Sequence, residues 1–139
     1  MKPNNVFLVP CTDTSFYRAW MEFLTPYHRL TSREKDVAAR LLMQYFRFRG
    51  SVPDPDVLRE LMWSKTSRKD LMASLKMSQA HFQMVLAKLR ESGFIKDGDI
   101  NPRFLPHIVE GEPRFMLQVV FDWSSDRNPI RRDGQEAQQ

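Results

Sequence analysis

Hydrophobic positions recur along this chain in two periods, with sharp punctuation between them. Phe16, Trp20, Phe23 and Leu24 fall at i, i+4, i+7 and i+8, one face of a helix over residues 15–24 that Thr25-Pro26 ends. The apolar run Val6-Phe7-Leu8-Val9 before it predicts an added strand or a strap over the core. Thr31-Ser32-Arg33-Glu34 is a capping box, a hydroxyl at the N-cap with a carboxylate three residues on. The helix it opens carries Val37, Leu41, Leu42, Tyr45, Phe46 and Phe48, and Gly50 closes it. Pro53-Asp54-Pro55 opens a short helix over residues 56–63.

The next segment has the densest signals. Ser67-Arg68-Lys69-Asp70 reads as a second capping box, starting a helix over residues 71–75. The link Lys76-Met77-Ser78 follows, then a helix over residues 79–92 stopped by Gly93. Phe94-Ile95-Lys96 predicts a short strand and Asp97-Gly98-Asp99 a turn. Two prolines make residues 100–106 extended, and Glu110-Gly111-Glu112-Pro113 is a turn. Residues 114–123, RFMLQVVFDW, form the strongest strand pattern in the chain. Residues 124–139 are polar, and a disordered tail is expected there.

These patterns give a mainly α fold with a small β-hairpin, an α+β class, in three parts. Residues 1–30 form an N-terminal extension, strap plus amphipathic helix. Residues 31–123 form the domain, and residues 124–139 the tail. Trp63 and Trp123 are expected in the core.

Composition narrows the functions. The chain has 139 residues and a net charge of +4, and residues 31–50 hold five Lys or Arg against two acids. Positive charge concentrates over residues 31–106, while residues 107–139 are net acidic, so a phosphate-binding face would come from the middle. One cysteine, Cys11, excludes an internal disulfide framework and a multi-thiolate zinc site. His28, His81 and His107 lack ligand spacing. No Gly-rich phosphate loop or catalytic constellation is present, so neither an enzyme nor a cofactor is expected, and no small-molecule substrate is evident. The apolar runs are too short for a membrane span or a signal peptide, and a cytoplasmic location is the expectation.

Within residues 67–95, Phe82, Val85, Leu86 and Leu89 share one face that would bury against Leu71 and Leu75, with Met77 plugging the link and Ser78 capping the second helix. The opposite face carries Gln79, His81, Gln83, Met84 and Lys88. Gln79 and Gln83 suit base edges in a major groove, and Ser67, Arg68 and Lys69 open the first helix where phosphate contacts would be made. Two helices, a tight link, then Gly and a strand resemble the winged helix-turn-helix family of DNA-binding proteins over roughly residues 31–123. The run Gly93-Phe94-Ile95 with Ile100-Asn101-Pro102 looks like the winged helices of plasmid and phage replication initiators and regulators. The resemblance implies that residues 78–92 are the recognition helix and that the segment after Ile95 is the wing. It implies a double-stranded DNA partner and a role in transcription regulation or replication.

Two departures bear on that implication. Lys76 stands where the family commonly has Gly, so it must accept an unusual backbone angle or shift the turn. Asp97 and Asp99 in the wing would repel phosphates. The alternative is a protein-interaction or structural module on the same fold, phage-encoded and built into a virion or polymerase assembly. For a homodimer, residues 16–24 are the candidate element.

Overall fold

The computed structural model describes residues 6–124. Helix α1 (Phe16–Phe23) is followed by a one-turn helix α2 (Thr25–His28), the long α3 (Ser32–Arg49), α4 (Pro55–Met62), α5 (Lys65–Leu75) and α6 (Gln79–Glu91). Strands β1 (Ile95–Lys96) and β2 (Asp99–Ile100) pair antiparallel, and a 3-10 turn (Pro102–Phe104) comes next. The chain is therefore mainly helical with one small sheet. It divides after Pro106 into two compact units.

The first unit is organised around α3. The Thr31–Glu34 capping box forms in both directions. Val37, Ala38, Leu41 and Leu42 are buried, and α1, α4, α5 and α6 all pack on this helix. Helix α1 is thus part of the core and not an appended arm: Trp20 and Met21 are buried, while Phe23, expected on its inner face, is exposed. The Trp20 indole donates to the Phe104 carbonyl at 2.8 Å, tying the first helix to the turn after the hairpin.

The link between α5 and α6 takes the strained option. Lys76 sits in the left-handed region at φ 52°, ψ 53°, which costs an L-residue roughly 1–2 kcal/mol. The amides of Lys76 and Met77 bond back to Ala73 and Met72, and the Met77 side chain is buried as the expected plug. Ser78 caps α6 by accepting from the His81 amide, and Phe82, Val85, Leu86 and Leu89 turn inward. Asp97 and Gly98 both have positive φ, as a two-residue hairpin turn requires.

Several expectations are corrected. Helix α5 starts at Lys65 under a Ser64 cap, one turn before the supposed Ser67 box. Residues 102–104 coil into a 3-10 turn, because Pro at the first position of such a turn loses no bond. Residues 6–9 are exposed coil and cover nothing. In the second unit residues 114–123 carry no strand, and Trp123 is exposed. The expected tail, apart from Ser124, lies outside the described residues.

His28 is buried with both ring nitrogens committed: Nε2 donates to the Met21 carbonyl at 2.8 Å and Nδ1 accepts from the Leu30 amide at 2.9 Å. Only the neutral ring can do both, and burial pushes its pKa below the ordinary value. A depressed folded pKa means the stabilisation is complete above the unfolded value, about 6.5, and is lost as pH falls through and below it. Urea midpoints should therefore drop between pH 7.5 and pH 5, and His28→Gln should flatten that dependence. Lys76→Gly, which removes the left-handed penalty, should raise stability by about 0.5–1 kcal/mol in the same measurement.

Candidate nucleic-acid interface

The side of α6 facing away from the core is bare. Gln79, His81, Gln83, Met84 and Lys88 are all exposed, Met84 at 68%. This follows from helical period: burying Phe82, Val85, Leu86 and Leu89 points the intervening positions outward. The amides offer paired donors and acceptors at an i, i+4 spacing, and His81 adds another. The Ser78 oxygen accepts from the His81 amide at 3.2 Å, leaving its hydroxyl proton free for an outside acceptor. Lys88 reaches Glu91 at 3.7 Å, an exposed pair worth little. Lys69 is exposed at the start of α5 with no ion pair among the described residues.

Of the residues assigned to this surface, one is buried away from it and a second is set back behind it. Ser67 is only 4% exposed, and its hydroxyl donates to the Leu61 carbonyl at 2.6 Å and accepts from Ser64 at 3.1 Å. It knits α4 to α5 because the helix begins earlier than its sequence signal. Arg68 is half-buried, and its Nε–H is fully enclosed with no partner in the protein. It lines a small cavity of about 200 Å³ under the outer face of α6.

A second electropositive feature was not singled out by the capped-helix reading. Arg18, Arg33, Arg40, Arg47 and Lys76 line an open cleft of about 710 Å³ along α3, with Asp36 its one acidic residue. Arg33, Arg40 and Arg47 are seven apart, which places them in one stripe of α3, and that spacing is the signal that finds them. Asp36 holds Arg18 at 2.8 Å and Arg33 at 3.7 Å. Arg40, Arg47 and Lys76 have no acidic partner among the described residues, so the cleft keeps a net positive field.

Among the described residues no three His, Cys, Asp or Glu side chains converge as a metal site, and no helix is long and apolar enough to cross a membrane. Ser67→Ala should lower stability by about 1 kcal/mol in chemical denaturation, because the Leu61 carbonyl loses the shorter of its two hydroxyl donors, Ser64 remaining at 3.0 Å. The same variant should leave the outer face of α6 unaltered, as an unchanged pattern of Gln79 and Gln83 side-chain amide resonances would record. No family model, no curated protein and no solved structure matches this chain, so its chemistry is taken from its own side chains.

Proposed function

We propose that this chain binds double-stranded DNA as a winged helix-turn-helix, with α6 as the recognition helix in the major groove. The observation that carries the reading is the division of α6 into a buried apolar side and a bare polar side. The helix is anchored at its N-terminus by the Lys76-Met77-Ser78 link and at its C-terminus by the β1–β2 hairpin. Gln79 and Gln83 are placed to read base edges, with His81 beside them and Met84 offering an apolar surface to a thymine methyl. Lys69, Lys88 and the Ser78 hydroxyl take phosphates. The uncompensated cations of the α3 cleft add to the field that draws a polyanion in.

The hairpin plays the part of the wing but stands off the backbone. Asp99 is held by Arg59 at 3.7 Å, while Asp97 stays exposed at the turn, so its tip repels phosphates. Positioning then falls to α5, α6 and the cleft.

A second reading, a protein-interaction module within a larger assembly, is favoured by exposed apolar residues. Met116, Val119, Val120 and Phe121 in the second unit are uncovered, as is Met84 on α6. Co-purification with a large complex and no salt-sensitive DNA affinity would select it.

Fluorescence anisotropy with duplex DNA across a salt series tests the leading reading. Affinity should fall steeply with salt, and Lys88→Ala should reduce the slope by about 1. On a duplex selected from a random pool, Gln83→Ala should weaken binding by roughly five-fold or more. A wild-type chain that binds no duplex at low salt removes the proposal.

A further inference from the structure

The small cavity behind α6 has an unusual donor set. It lies where the end of α4, the first turn of α5, the middle of α6 and the hairpin meet. Trp63 and Arg68 contribute from one side, Gln83 and Arg90 from the other, and Leu86 and Ile95 are its apolar lining. The Trp63 indole N–H and the Arg68 Nε–H are each sealed from solvent with no hydrogen-bond partner in the protein. An enclosed donor without an acceptor costs about 1–3 kcal/mol, more for a charged group. Both belong to residues that line the cavity, so an acceptor seated there, met by a small turn of either side chain, would satisfy them.

The charge balance says which acceptor. No carboxylate lines the cavity; of the two acids that flank Gly98, Asp99 is engaged by Arg59 and Asp97 is exposed at the turn. Arg68 and Arg90 have no acidic partner among the described residues. Two guanidinium groups, an indole and the Gln83 amide form a donor-rich, half-open pocket, and the apolar Leu86 and Ile95 at its wall strengthen a charge-assisted bond made beside them. A volume of about 200 Å³ accommodates a tetrahedral oxyanion and its remaining hydration.

We propose that this cavity is a binding site for a single phosphate-type oxyanion, held by Trp63, Arg68 and Arg90 with Gln83 at its mouth. The site stands whether or not the chain binds DNA. A phosphoryl group could come from a free ligand or from a nucleic-acid backbone, and Gln83, exposed on α6 and lining the cavity, links it to the outer face. With a free ligand, Gln83 is drawn toward the anion and away from a base edge, so occupancy would alter duplex affinity.

The test is a titration of the full chain with inorganic phosphate, followed by the indole and guanidinium N–H resonances in ¹⁵N-edited NMR. Trp63→Phe, which keeps the ring but removes the N–H, identifies the Trp63 indole signal among the three tryptophans. A saturable shift of the Trp63 indole and Arg68 Nε–H signals is expected, together with a phosphate-dependent rise in melting temperature. Trp63→Phe and Arg68→Met should each weaken the affinity roughly tenfold or more. Lys65→Ala, an exposed cation on the same helix, should leave it unchanged. If either variant folds poorly, the wild-type chain still decides through its own two signals. The same signals moving with duplex DNA, and reversing with added phosphate, assign the source as the nucleic-acid backbone. Movement with phosphate alone assigns a free ligand. Shifts that do not saturate, or that sodium chloride reproduces at equal ionic strength, or no shift with either phosphate or duplex, overturn the proposal and leave the cavity to water.

Discussion

Everything outside the core depends on one constraint, the seating of α6 by its apolar side. Phe82 and Leu89 are wholly enclosed, and truncating such a side chain to Ala typically costs about 2–5 kcal/mol. A helix held that firmly cannot rotate, and so its other side is presented in a single orientation. The link fixes where the helix begins: the left-handed Lys76 reverses the chain, Met77 fills the corner, and Ser78 closes the first turn. Gly93, at φ 87°, takes the chain out of the helix into the hairpin. Sequence, turn geometry and packing thus agree on one polar surface whose position is set from behind.

The charges fall into two populations with different physics. Lys35 is buried, with its ammonium on Glu22 at 2.9 Å and on Thr25 at 3.2 Å, and with Arg18 it holds the Glu22 carboxyl below the usual range. Asp36 similarly bridges Arg18 and Arg33. These groups fasten α1 to α3 and are spent within the fold. Arg40, Arg47, Lys69 and Lys76 have no such commitments, and they remain available to a partner whose attraction salt would screen. Net charge alone cannot separate the two populations, since a lysine in a buried pair counts the same as one in water.

What could be read before the fold was known follows the range of the forces involved. The Thr31 box, the Pro53-Asp54-Pro55 entry, the Met77 plug and the inward stripe of α6 are local or strictly periodic, and each appears where the pattern places it. Ser67 failed because Ser64, three residues earlier, satisfies the same capping chemistry, and only the packing of α4 against α5 decides which serine does so. For Arg68 the sequence predicts a surface cation, because nothing local says that its Nε is buried or that its side chain lines a pocket walled in part by the hairpin some thirty residues on. On α1, Met21 rather than Phe23 is buried, since the contact with α3 is set by where Trp20 reaches Phe104. Alternation over 114–123 describes a ribbon suited to a sheet, but a strand needs a neighbour, and pairing is a property of two segments.

That ribbon carries a safeguard of its own. A stretch containing Phe115, Leu117, Val119 and Phe121, apolar and β-prone, is the kind of segment that stacks copy upon copy into fibres. Arg114 stands at one end and Asp122 near the other. In parallel, in-register stacking each charge would meet its own kind every few ångströms, and the repulsion would grow with every layer added. Two ionic gatekeepers at fixed places therefore make the fibrillar register the expensive one, while leaving the apolar middle intact.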